Sequence, residues 1–334
     1  MATKRPVLRV FGCGGMGVEF VRNHVTRMVS SEIGKTEAFA EIKPSMIDTS
    51  KANMAGAEET MEHYILRGAD GSGKRRNTNY EALKERANEI LQSILPGDYN
   101  IVVHSAGGGS GSVLGPILVN ELLSRDLPVI VFCVGSTSSD IEAENTYKTL
   151  LGYEQAASKI RKAPVPMVYF ENDNGKTPEE IDNTLAVYLP LLAGVLSGKN
   201  HGLDSMDIRN FLYYNRVSEY APALTQLDLY RGEIKLQQGE NVLSMLTLVK
   251  QGTPAPKDVM VRYQGTGVMN PGFASVNDTH DSLRIVMVAN HFQAVISGLQ
   301  ATRDRFAEAI NKSERRSLIS KDLNIDPEDD GMIL

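Results

Sequence analysis

The sequence predicts an α/β protein: a mainly parallel sheet with helices on both faces, a long core helix, then a second, smaller α/β region and a charged tail. Three observations carry this. Short apolar runs alternate with helical patterns through the first half, and two glycine-rich stretches each lie between a strand-like run and a helix. A well-formed helix start, Thr177-Pro178-Glu179-Glu180, then precedes a change of texture.

Taken in order, Val7-Leu8-Arg9-Val10-Phe11 reads as a strand leading into Gly12-Cys13-Gly14-Gly15-Met16-Gly17, after which Val18, Val21, Val25 and Met28 share one helical face. Met46-Ile47 precedes Asp48-Thr49-Ser50, and the turn-rich Arg67-Gly68-Ala69-Asp70-Gly71-Ser72-Gly73-Lys74 follows. Leu83, Ala87, Ile90 and Ile94 mark a helix. Ile101-Val102-Val103 is a buried strand feeding Ala106-Gly107-Gly108-Gly109-Ser110-Gly111-Ser112, and Val113, Leu114, Ile117, Leu118 and Leu122 continue at helical spacing. Pro116 falls early enough in that helix to be tolerated. Residues 128–134 and 165–170 read as strands flanking a helix over 141–160. The core helix runs from its Thr177 cap to about Leu196, and Pro190 predicts a kink or break. Beyond it, 242–249, 259–263 and 283–288 read as strands and 294–310 as a helix. The expected divisions are 1–176, a core helix within 177–200, a second region over 201–312, and a tail over 313–334.

The chain has 334 residues, 42% of them hydrophobic, enough for two packed regions. Its net charge of −6 gives no basic field for nucleic acid or an anionic membrane. Five acids against Lys321 after Ser317 concentrate that charge at the end of the chain. Two cysteines, Cys13 and Cys133, exclude a disulfide scaffold, and the histidines lack metal-site spacing. With no apolar run approaching the roughly 20 residues of a membrane span, a cytoplasmic protein is expected.

The stretch from Ala106 to Ser112 reads as a phosphate cradle. A strand, a glycine loop and a helix N-terminus aim backbone N–H groups and the positive dipole end at one anion. Glycine admits close approach, and Ser110 and Ser112 can donate hydroxyl hydrogen bonds. The earlier loop fits GxGxxG, so a dinucleotide enzyme is the alternative from another class. That fingerprint expects an acid about 20 positions on, whereas Asp48 lies well beyond it. A GxxxxGK[ST] P-loop is absent, since Lys74 is followed by Arg75.

Two glycine-rich phosphate loops and a long helix near residue 180 resemble the tubulin/FtsZ superfamily. Gly107-Gly108-Gly109-Ser110-Gly111-Ser112 is similar to its GGGTGTG/S signature, and Ser112-Val113-Leu114-Gly115-Pro116 with Phe211-Leu212-Tyr213-Tyr214-Asn215-Arg216-Val217 resembles the PhuZ-type tubulins of large bacteriophages. The resemblance implies a Rossmann-like GTPase domain binding GTP or GDP with Mg²⁺. Gly14, Gly15, Met16 and Gly17 would form the first nucleotide loop, Asp48 with Thr49 and Ser50 the second, and 68–74, with Gly71 and Gly73, the third. Ala106, Gly107, Gly108, Gly109, Ser110, Gly111 and Ser112 form the signature loop. Glu144 would contact ribose, with Glu142 and Asn145 leaving the register open. Asn183 and Asn172 would recognise guanine, with Asn174 an alternative to the latter.

His201-Gly202-Leu203-Asp204-Ser205-Met206-Asp207-Ile208 resembles the family's catalytic NxDxxD loop, with Asp204 and Asp207 on its acids and Gly202 in place of asparagine. By residue type alone, Asp204 is equally an N-cap and Asp207 a first-turn carboxylate. The resemblance implies head-to-tail self-association in which this loop completes the next subunit's GTP site, as heterologous contacts that do not close give filaments. It also implies that the tail, Asp326-Pro327-Glu328-Asp329-Asp330-Gly331-Met332-Ile333-Leu334, docks on a neighbouring subunit. A phage filament positioning viral DNA is expected, DNA or a capsid being cargo reached indirectly. A plasmid or phage DNA-segregation filament is the near alternative.

Overall fold

A computed structural model describes residues 4–54, 61–69, 71–172, 175–276 and 280–314. Among these, ten strands form one sheet: β1 (Val7–Cys13), β2 (Glu41–Asp48), β3 (Glu62–Ile65), β4 (Tyr99–Ser105), β5 (Val129–Gly135), β6 (Val165–Glu171), β7 (Leu224–Tyr230), β8 (Asn241–Val249), β9 (Tyr263–Val268) and β10 (Ser282–Ala289). Their spatial order is β3-β2-β1-β4-β5-β6-β7-β10-β8-β9. Neighbours from β3 to β7 pair in parallel, and β10 runs antiparallel to both β7 and β8.

The helices are α1 (Gly14–Phe20), continued through a π-turn at Val21–Val25 into α2 (Thr26–Ser30), then α3 (Glu32–Lys35), α4 (Tyr80–Ser93), α5 (Gly111–Ser124), α6 (Asp140–Gln155), α7 (Pro178–Val195), α8 (Ser205–Leu212), α9 (Pro271–Val276) and α10 (His291–Glu314). Two cores cover the two sheet faces. Val18, Phe20, Leu185, Leu189 and Phe211 from α1, α7 and α8 belong to one. Leu83, Leu118, Leu150 and Leu299 from α4, α5, α6 and α10 belong to the other. Strand β4 shows why its run is apolar throughout: Ile101 and Val103 enter the first core, Val102 the second. Among the described residues, no helix is long and apolar enough to cross a membrane.

The structure departs from the sequence expectations in two places. The strand expected at 259–263 lies instead at Tyr263–Val268. Its glycines hid it from β-propensity, yet packing demands them: a Cβ on Gly265 would stand 2.7 Å from Leu246 Cδ2, and one on Gly267 2.9 Å from Leu203 Cβ. Helix α7 passes through Pro190 unbroken, held between residues buried on both sides of it, Leu189 and Leu191. Strands β7 to β10 of the second region join the first sheet directly, because β7 pairs with β6.

Candidate functional site

The parallel strands all end at one rim, and the order of strands reverses between β1 and β4. Open α/β sheets bind ligands at such a point, outside the carboxyl ends of the strands. Both glycine loops are there: β1 runs into the first, β4 into the signature loop. They touch so closely that a Cβ on Gly14, whose φ is +72°, would lie 2.6 Å from the Gly111 amide nitrogen. Helix α5 begins at Gly111, leaving its first-turn amides without a preceding turn to bond.

The second and third loops close over this pair. Thr49 and Ser110 share a hydroxyl hydrogen bond of 2.6 Å, and Ser110 Oγ donates to Ser72 Oγ at 3.2 Å. Gly71 N donates to the Thr49 carbonyl at 3.2 Å. Gly71, Gly73 and Lys74 all hold positive φ, so the third loop is a tight left-handed turn. A Cβ on Gly109 would fall 2.0 Å from Ser72 Oγ, so this turn rests on the signature loop. Asp48 is buried, accepting from Thr49 N and Asn53 Nδ2, each at 2.6 Å. Burial raises its carboxyl above the usual range despite these bonds. The same burial, then the Asp48 charge, pushes the Cys13 thiol far up, so it stays protonated. Met16 is half-buried against the first core.

Helix α6 sets the two candidate ribose acids on different faces. Glu144 faces away from the loops, ion-paired with Lys148 at 2.7 Å and with Arg303 of α10. Glu142 faces them: its carboxylate accepts from Ser136 Oγ at 3.0 Å and pairs with Lys74. Two positions along a helix turn the side chain by about 200°, so only one of the two can face the loops. Asn145 and Thr149 share the loop-facing side. Asn145 Nδ2 donates to Lys74 O at 2.9 Å and Gly107 O at 3.0 Å, stapling the third loop to the signature loop. The polar spacing 142, 145, 146, 149 was the available signal.

Asn172 follows β6 on the same rim, and its Oδ1 is buried with no hydrogen-bond partner among the described residues. Asn174 lies outside those residues. Asn183 is exposed and borders a surface groove of about 420 Å³ with Tyr188 and Arg231. The residue before it, Asp182, is the one turned toward α1. Burial, then the charge of Glu19, pushes its carboxyl up to about 6.

Beneath the signature loop, His104 is buried and neutral, its ring held by Tyr153 at 2.8 Å, and burial lowers it to about 4. Gly115 is glycine because a Cβ there would sit 2.4 Å from His104 Cδ2.

Asp204 and Asp207 are at the other end of the sheet. Ser205, Met206 and Arg209 line a cavity of about 930 Å³ with Val7, Tyr99 and Pro128, at the start of β1 and β4 and just before β5. The signature loop follows the far end of β4, about 20 Å away at ~3.3 Å per residue. Asp204 caps α8, its Oδ1 accepting from Met206 N at 2.8 Å and Asp207 N at 2.9 Å, while Asp204 N donates to Asp207 Oδ2 at 3.1 Å. Tyr263 OH donates to Asp207 Oδ1 at 2.9 Å. Both Asp207 oxygens are thereby engaged; Asp204 is exposed, and its Oδ2 has no hydrogen-bond partner among the described residues. Gly202 has φ +77°, a conformation asparagine also tolerates, which accounts for glycine at that position. Arg209 and Arg216 both pair with Asp126, tying α8 to the loop before β5.

Fold and site together resemble those of tubulin-like proteins. The chain matches no protein-family profile. It superposes on a structure titled as the phage tubulin PhuZ with GDP at a TM-score of 0.82, with 20% identity over 98% of this chain and 99% of that one. A protofilament of TubZ from bacteriophage PhiKZ gives 0.79, with 22% identity over 96% of each. In sequence the chain resembles the phage tubulin-like proteins: it is 25% identical to that of Pseudomonas phage PhiPA3 over 98% of both chains. It is 27% identical to that of Pseudomonas phage 201phi2-1 over 86% of this chain and 90% of the other.

Proposed function

We propose that this chain is a GTPase that polymerises head to tail, binding guanine nucleotide at the loop rim and completing hydrolysis with Asp204 and Asp207 of the next subunit. One observation carries the reading: the phosphate-cradling loops and the acid pair occupy opposite ends of the same strands. A single copy cannot bring them together, and a stacked second copy can.

The rim fits a guanine nucleotide. The close-set glycines and α5 amides suit phosphate oxygens, and Asn172 Oδ1, without a partner among the described residues, can accept from a guanine N–H. Mg²⁺ would neutralise phosphate charge; it is commonly held by phosphates with one or two carboxylates, and Asp48 is the buried acid near this rim. In hydrolysis, Asp204 Oδ2 orients the attacking water, while Asp207, fixed by Tyr263 and the cap, holds Asp204 in place. Division of the chain at 176, 200 and 312, a cytoplasmic location, DNA or capsid cargo and tail docking belong to the same proposal; Asp326 to Leu334 lie outside the described residues.

The test is negative-stain electron microscopy with light scattering. Filaments are expected with GTP and their loss with GDP; no assembly with either nucleotide at high protein concentration overturns the reading. Protection by NAD instead of GTP in thermal denaturation would favour an oxidoreductase.

A further inference from the structure

The basic turn after the third loop has a side chain that the nucleotide site does not use. Arg76 is directed behind the signature loop, away from the rim. Its Nη1 donates to Asn145 O at 3.1 Å and to Thr149 Oγ1, and the same Thr149 hydroxyl lies 3.3 Å from Ala106 O and 3.4 Å from Ser112 O. No carboxylate pairs with this half-buried guanidinium among the described residues.

Arg76 opens onto a cavity of about 430 Å³ between α4, α5 and α6, within the range of small-molecule sites. Its walls are mostly apolar, including Val113, Pro116, Ile117 and Ile160, with Tyr80 and Lys84 at α4. The one acid lining it, Glu121, is already paired with Arg125 at 2.9 Å, and the Asn120 side-chain oxygen accepts from Arg161 Nε at 2.7 Å. Lys84 Nζ stands 5.8 Å over the Tyr80 ring and has no carboxylate ion pair among the described residues.

An apolar cavity with two cations and no spare acid selects an apolar body bearing one anionic group. We propose that this cavity binds small amphipathic anions, an aromatic or branched carboxylate or sulfonate, with the anion on the free donors of Arg76 and the apolar part against α5. The site is separate from the nucleotide rim and lies on the opposite side of the signature loop.

The probe is 8-anilinonaphthalene-1-sulfonate, titrated by fluorescence into the full chain with saturating GDP present. Two variants read the two halves of the site. Arg76→Met removes the charge but keeps the stem, and is expected to weaken the probe about tenfold, the effect of one lost charge-assisted hydrogen bond. Gly152→Leu fills the cavity from α6, where a Cβ meets nothing within 4 Å, and is expected to weaken it at least as much. Circular dichroism confirms that each variant is folded, and Arg75→Met, its exposed neighbour, is expected to bind as wild type. Wild-type affinity in either Arg76→Met or Gly152→Leu would overturn the proposal, as would dye binding seen only when GDP is left out. Nucleotide binding, followed with a fluorescent GDP, fails or succeeds independently of these results.

Discussion

Replacing Asp204 by asparagine separates its two roles. At an N-cap, asparagine ranks with aspartate, so Asp204→Asn keeps an oxygen for the amides of Met206 and Asp207, which lie 2.8 and 2.9 Å from it. Asp204→Ala loses both bonds, at a cost of about 1 kcal/mol. In a chain of this length, that lowers Tm by roughly 2 °C or less. Both variants lose the uncommitted Oδ2 carboxylate oxygen. Loss of a positioned general base costs about 10²- to 10⁴-fold in rate. The expected result is therefore two folded proteins that assemble with GTP and hydrolyse it at least about a hundredfold more slowly, of which only the alanine variant melts early. Phosphate release is measured above the critical concentration, which sedimentation determines for each variant. Assembly with wild-type turnover by Asp204→Asn would show that Asp204 is only a helix cap.

Gly14→Ala should weaken nucleotide binding more than tenfold: positive φ costs roughly 1–2 kcal/mol with a Cβ, and the added atom strikes the Gly111 backbone. Unchanged affinity for fluorescent GDP would remove this loop from the site. Glu142→Gln should reduce nucleotide affinity while Glu144→Gln does not, since only Glu142 faces the loops; the reverse pattern would reinstate Glu144. Asn172→Ala should leave thermal stability nearly unchanged, because its Oδ1 has no partner among the described residues, yet weaken GDP by about 1–3 kcal/mol. Equal affinity in calorimetry would dismiss it as a base contact. Asp182 holds its proton up to about pH 6, above the unfolded value, so its protonated form favours the folded state at low pH and that advantage is lost as pH rises from about 4 to 6. Asp182→Asn should gain about 1 kcal/mol at pH 8, discounted for partial exposure, and little at about pH 3, below both values. Thermal melts giving equal gains at both would contradict the assignment.

What the sequence determined by itself was local. The glycine loops, the strand-to-helix order, the Thr177 capping box and the Asp204/Asp207 start of α8 depend on contiguous residues, whose turn conformations and caps are fixed within a few positions. Tertiary structure decided what depends on distant partners. Whether Glu142 or Glu144 meets the signature loop, and whether Asp182 or Asn183 faces α1, follows from the rotation of a helix set by its packing, at about 100° per residue. Strand β9, with two glycines in six residues, exists because β8 and Leu203 leave no room for side chains. Only the register of the sheet sets the phosphate loops and the acid pair at opposite ends, because parallel strands send every βα turn to one rim and every return connection to the other.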